Sequence, residues 1–152
     1  MIRISYTAKR ALNGHAVGDT VTLTFSAAEP LAPSRRVVRD MQKSLGGRRE
    51  TLLHHSLRVW DITTEPMQGS TLDALEEFLT AVEDGAQFDF EPYWTYGAEP
   101  ADTDSTETRL RTTPTVRAVL DSEQYSPALL VSNGNGGADD WYQVRFTVEE
   151  AA

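Results

Sequence analysis

The segment from Arg36 to Thr63 limits what this chain can become more than any other. Arg36 to Lys43 is a polar, strand-compatible stretch carrying Val37, Val38 and Met41. Ser44-Leu45-Gly46-Gly47-Arg48-Arg49 follows as a turn, since paired glycines supply the positive φ that a tight hairpin requires. Glu50 to Thr63 then runs long. Leu53, His55, Leu57 and Val59 fall on one face, and Leu52, His54, Ser56, Arg58, Trp60 and Ile62 fall on the other. Apolar residues on both faces predict a central strand covered on both sides. The segment 36–63 therefore reads as a long β-hairpin, and a chain that commits so much of its length to one hairpin is bound to an antiparallel fold.

The remaining segments agree. Ile2 to Thr7 alternates apolar and polar, as does Val21-Thr22-Leu23-Thr24-Phe25. Pro30 and Pro33 enforce an extended connection. Phe88-Asp89-Phe90 starts a strand that Pro92-Tyr93-Trp94 closes. Thr115 to Leu120 places Val116, Ala118 and Leu120 on one face, and Leu129 to Ser132 is a short apolar strand. Trp141 to Val148 alternates, with Tyr142, Val144, Phe146 and Val148 on the apolar face. One helix interrupts the strands. Leu72, Leu75, Phe78, Leu79 and Val82 follow helical spacing, with Glu76, Glu77 and Glu83 on the other face. Ser70 is expected as its N-cap, with Asp73 in the first turn and Gly85 as its stop. The expected architecture is mainly antiparallel β, a sandwich or barrel with one α-helix packed on it, in a single domain over 1–152 with an acidic loop at about 98–108.

The chemistry-bearing patterns are thin. The 152 residues include no cysteine, so disulfides, Cys-ligated zinc and thiol nucleophiles are excluded. His54 and His55 are strand neighbours that point to opposite faces and cannot chelate one metal together. Asp102, Asp104 and Glu107 lack EF-hand spacing and read as a solvated loop. Gly134 to Trp141 approaches a single calcium nonapeptide, but that motif works by stacking copies, so a hairpin turn is the better reading. GxGxxG, GxxxxGK[ST] and GxSxG are all absent from the sequence. No catalytic residue, cofactor or metal is expected. The N-terminus lacks the apolar run of a signal peptide. The longest uncharged stretch, Gln124 to Ala138, is polar and glycine-rich. A soluble protein made and folded in a cytoplasm, with no membrane insertion, is the expectation.

Charge is divided along the chain. The net charge is −9, yet residues 1–60 hold 10 Lys+Arg against 4 Asp+Glu, and the remainder holds 4 against 19. Overall acidity argues against nonspecific nucleic-acid binding. One basic and one acidic face would suit head-to-tail or ring assembly.

One run carries a family resemblance. It comprises Ser44 to Leu52, the strand through Trp60, Pro66-Met67, the helix with Leu75-Glu76-Glu77-Phe78, and Asp84-Gly85-Ala86-Gln87-Phe88-Asp89-Phe90-Glu91-Pro92. It resembles the minor tail and distal tail (hub ring) proteins of long-tailed bacteriophages, well over 34–93 and loosely over 114–149. The acidic loop at 98–108 departs from that pattern. The resemblance implies a structural virion protein, not an enzyme. Copies would form a ring, commonly of six, at the distal end of the tail tube. That ring would join the tube to the tail-tip or baseplate hub and leave a channel through which DNA passes in transit. Its implied partners are further copies of itself, the tail tube protein, the hub and other minor tail proteins. Assembly would occur in the host cytoplasm, with the tail tip of the virion as the final location. A tube or terminator protein, a monomeric glycan-binding module using Trp94, Tyr96 and Trp141, and an enzyme built on His54 or His55 are the competing readings. The residues expected at a subunit interface are Arg35, Arg36, Gly46, Gly47, Arg48 and Arg49 of the hairpin, with Glu76, Glu77 and Glu83 of the helix.

Overall fold

The computed structural model describes residues 1–12, 14–28, 34–92, 94, 115–122, 125, 127–132 and 140–151, and for His54 and His55 the backbone only. The acidic loop at 98–108, Tyr96 and the glycine-rich turn at 133–139 lie outside the described residues. The order is β1 (Ile2–Thr7), β2 (Thr20–Phe25), β3 (Ser34–Lys43), β4 (Arg49–Thr63), α1 (Gly69–Val82), β5 (Phe88–Glu91), β6 (Val116–Leu120), β7 (Pro127–Val131) and β8 (Trp141–Glu150). All pairings are antiparallel, in the order β2-β1-β5-β6-β8-β4-β3, with β7 beside β8. Mainly β with a single helix is thus the observed class, and the sheet does not close into a barrel. The chain just past β2 meets the chain just past β4 at one bridge, Ala27 with Thr64.

Alternation decides which side of the curled sheet becomes the core. Ile2, Ile4, Tyr6, Val21, Leu23, Phe25, Phe88, Phe90, Val144, Phe146 and Val148 all point inward and are buried. The residues between them pair across strands on the outer face. Arg3 is bonded to Glu91 (Nη2 to Oε1, 2.8 Å), Arg117 to Asp89 (2.8 Å), and Ser5 to Thr22 (2.9 Å). The helix covers the open side of the core with Leu75, Phe78, Leu79, Ala81 and Val82. Phe78 meets the rings of Tyr6, Phe88 and Phe146 at centroid distances of 5.3, 4.9 and 6.3 Å. Gly85 ends the helix with φ +88°, its N–H donating to the Val82 carbonyl (3.0 Å).

The start of the helix differs from expectation. Gly69 is already helical and Gln68 holds the cap position without a side-chain bond, so Ser70 is not the N-cap and Asp73 is not in the first turn. Met67 exchanges two backbone bonds with Tyr142, at 2.8 and 2.9 Å. That bridge fixes the chain just before the helix and moves its first turn upstream of the capping side chain.

Thr64, fully buried, locks the end of β4 to β8. Its Oγ1 accepts from Val144 N–H (3.0 Å), its N–H donates to Val144 C=O (3.0 Å), and its carbonyl accepts from Gln143 Nε2 (3.0 Å). Thr64→Val keeps the shape and orphans a buried N–H. A loss of about 1–3 kcal/mol in urea unfolding is expected. A change under a few tenths would show that the hydroxyl bond adds nothing.

Candidate assembly surface

β3 and β4 form the hairpin, and its position corrects one expectation. Only Val59 to Thr63 of β4 pairs with β8, at Glu149 to Arg145. Among the described residues Arg49 to Arg58 has β3 as its sole ladder partner. This stretch is therefore not a central strand covered on both sides. It is one half of a two-stranded arm reaching roughly 30 Å beyond the sheet at the usual rise per strand residue. Every residue of β3 is exposed. Val37, Met41, Leu52 and Leu53 are 46, 60, 62 and 59 % exposed.

The ladder also shifts. Val38 faces His55 and Arg39 faces Leu53, so β4 carries one extra residue at that point. The shift breaks the simple alternation read from Glu50 to Thr63 and moves Leu53 onto the face of Ser56 and Arg58. Register then collects Arg35, Arg39, Lys43, Arg49 and Arg58 on one face, with Val37, Met41 and Leu53 between them. The other face mixes Arg36, Asp40 and Glu50 with Val38 and Leu52. At the tip, Ser44 anchors the turn. Its carbonyl accepts from Gly47 N–H (2.9 Å) and its Oγ from Arg48 N–H (3.1 Å). Of the two glycines only Gly47 adopts positive φ, at +79°. The tip is not purely polar, because Leu45 stands fully exposed there.

Base and arm differ in electrostatics. Arg36 is held within the subunit by Asp121 (2.7 Å) and by Glu149. Arg58 makes a two-pronged contact with Glu150, Nε to Oε2 at 3.0 Å and Nη2 to Oε1 at 2.8 Å, above the buried Trp60 ring. Arg3 and Lys9 pair with Glu91 and Asp84. Four cations of the basic N-terminal part are thus matched by carboxylates of the acidic part, and the charge division is partly cancelled in space. Arg35, Arg39, Lys43, Arg48 and Arg49 form no ion pair among the described residues and concentrate along the arm. On the helix, Glu76 and Glu83 are exposed, Glu77 is half-buried, and Glu83 accepts from the Tyr125 hydroxyl (3.1 Å).

The Arg58 hydrogen bonds hold the Glu150 carboxyl below its ordinary value of 4.5 against the opposing effect of burial. A carboxyl lowered by folding adds stability that is complete above the unfolded value and is lost as pH falls through the folded one. The contribution of this pair should be flat above about pH 5 and fall in acid, and Glu150→Gln should make the acid limb shallower. An unchanged acid limb in that variant would remove the pair from the account.

Among the described residues no group of three His, Asp or Glu could hold a metal. No helix among them is long and apolar enough to cross a membrane. Trp94 lies under Arg3 (4.9 Å), whereas Trp141 opens β8 opposite Val131. The Tyr6 hydroxyl is pushed up to about 12, by burial first and then by the charge of Glu77, and stays protonated at neutral pH.

No family model matches the chain, and no curated protein matches it. Among solved structures it is similar to a chain from the tail of an empty GTA particle, computed with helical refinement and C6 symmetry. That likeness has a TM-score of 0.48 and 14 % identity, and covers 99 % of this chain and 91 % of that one.

Proposed function

We propose that this chain is a structural subunit of a bacteriophage-type tail, forming a ring of six copies at the distal end of the tail tube that joins the tube to the tail-tip hub. The arm carries the proposal. A two-stranded ribbon is marginal in water on its own. Its exposed Val37, Met41, Leu52 and Leu53 add nothing to the monomer core. A neighbouring subunit that covers them accounts for both facts. The sequence resemblance supplies the kind of assembly, and a single β-rich domain with one helix suits it.

In this reading the subunit interface uses Arg35, Arg48, Arg49 and the Gly46-Gly47 turn on the arm, with Glu76, Glu77 and Glu83 on the helix. Arg36 is engaged inside its own subunit and contributes by fixing the arm's base. The protein acts without a cofactor and catalyses nothing. Its partners are other copies, the tail tube protein, the hub and other minor tail proteins, with DNA only in transit. It resides at the tail tip of the virion after assembly in the host cytoplasm.

Native mass measurement with electron microscopy of the purified protein tests this. A discrete ring of one layer is expected. Long polymers at low salt would point to a tube protein, and a monomer at every concentration would end the assembly reading. Arg48→Glu with Arg49→Glu should weaken association by up to about thirtyfold and leave the monomer's melting unchanged, since exposed pairs contribute about 0–1 kcal/mol each. Unchanged association would remove the tip arginines from the interface.

A further inference from the structure

The arm is not alone among the described residues in leaving an apolar surface open. A second is β7. Leu129, Leu130 and Val131 are 53, 45 and 52 % exposed, and Trp141, opposite Val131, is 37 % exposed. Among the described residues β7 pairs with β8 alone, and its other backbone edge has no ladder partner there. The strand Pro127-Ala128-Leu129-Leu130-Val131 carries none of the charges that usually guard such an edge.

The two surfaces sit at opposite ends of β8. β7 pairs with β8 over Trp141 to Val144. β4 pairs with it over Arg145 to Glu149, and the arm continues past Glu150. An arm that leaves β8 at one end cannot reach a strand flanking the other end of the same subunit. Two copies can bring the surfaces together.

Their surroundings are opposite in charge. On the arm, Met41 and Leu53 lie between Arg39, Lys43 and Arg49. Just before β7, the Tyr125 hydroxyl donates to Glu83, at the C-terminal end of the helix, at 3.1 Å. Tyr125 stands two residues before β7, so that bond places the Glu83 carboxylate beside the entry to the strand. Apolar residues bordered by cations thus have a counterpart in apolar residues with a carboxylate, Glu83, at their border.

We infer that β7, with Trp141 and the nearby Glu83, is the acceptor for the arm of a second copy, so that copies join head to tail. The inference rests on the assembly reading and names the surface that receives the arm. A heterologous contact of this kind leaves a free arm and a free acceptor until it closes into a ring or extends as a filament.

Two variants of the full chain test it. One disables the arm (Leu53→Asp with Arg49→Glu), and the other disables the acceptor (Leu130→Asp with Glu83→Arg). All four sites are exposed, and thermal melting verifies that both variants fold like the parent. By sedimentation each alone should associate at least about tenfold more weakly than the parent. An equimolar mixture should form a one-to-one heterodimer that grows no further, because it holds one intact arm and one intact acceptor. If the acceptor variant melts early, Glu83→Arg and Arg49→Glu replace the pairs. Each single change should then weaken association, and both in one chain should restore it. A parent that assembles while the acceptor variants assemble equally well overturns the inference and leaves the assembly reading standing. A mixture that forms no heterodimer does the same, pointing to arm-to-arm contact. A parent that stays monomeric overturns the assembly reading itself.

Discussion

Phe78→Ala is expected to destabilise the subunit by about 3–5 kcal/mol. Phe78 is completely buried at the centre of α1 and meets three rings edge-on, those of Tyr6, Phe88 and Phe146. Truncation removes the ring's burial and leaves a cavity that rigid aromatic neighbours on three strands cannot fill. Each well-oriented ring pair adds about 0.5–1.5 kcal/mol beyond burial. Against a total of about 5–15 kcal/mol, the loss is a large share of all stability. Urea unfolding should show an earlier midpoint, and thermal melting a fall of about 6–20 °C for a chain of this size. Glu76→Ala, on the exposed side of the same helix, should move stability by well under 1 kcal/mol. A Phe78→Ala protein that melts like the parent yet fails to assemble would mean that the helix stripe serves a neighbour and not the core.

That stripe was legible in the sequence because helical spacing and burial answer to the same period. The strands were legible for a similar reason. Val116-Arg117-Ala118 and Tyr142 to Val148 alternate because one side of each faces the core. The start of the helix was not legible, since the Met67–Tyr142 bridge that sets it joins residues far apart in the chain. Strand order was also beyond local reading. Phe88-Asp89-Phe90 follows the helix yet pairs with β1 and β6, away from β4. Nothing in a four-residue strand specifies which of several apolar neighbours it joins.

The assembly surface was half legible. A glycine-bearing turn between long strands identifies a hairpin, and the hairpin is there. The hydropathy of Leu52 and Leu53 could not tell a buried strand from an exposed one, because both carry apolar residues on two faces. The irregularity beside Val38 and Arg39 leaves no residue signature, yet it decides which cations share a face. The carboxylates around Arg36 come from β8 and from Asp121 after β6, so its role at the base required the tertiary arrangement. Leu129 to Ser132 alone reads only as a short apolar strand. In β7, the lack of any charge over Pro127 to Val131 was a signal that both its faces and its edge ask for cover.

Replacing Met41 and Leu52 by Asp should have the largest effect on assembly and almost none on the monomer. The two side chains are 60 and 62 % exposed and lie on opposite faces of the arm. Exposed positions usually change stability by less than about 0.5 kcal/mol. In an assembly that covers the arm they become buried anchors. A central anchor is worth about 2 kcal/mol or more, so losing two weakens association by roughly a thousandfold. The neighbouring cations contribute less to the final affinity and more to the rate of encounter. At about 1 M salt the Debye length falls to about 3 Å, and those cations are screened while apolar contacts persist. Association of the parent should therefore slow with salt, whereas rings already formed should survive it. Sedimentation at low and high salt, with melting of each monomer, separates the two contributions. Should reversal of Arg48 and Arg49 prove more damaging than the Met41 and Leu52 pair, charge would be the main cause of cohesion. A substantial fall in the melting temperature of the Met41→Asp, Leu52→Asp monomer would mean that the arm packs on its own subunit, and the case for a neighbour would fail.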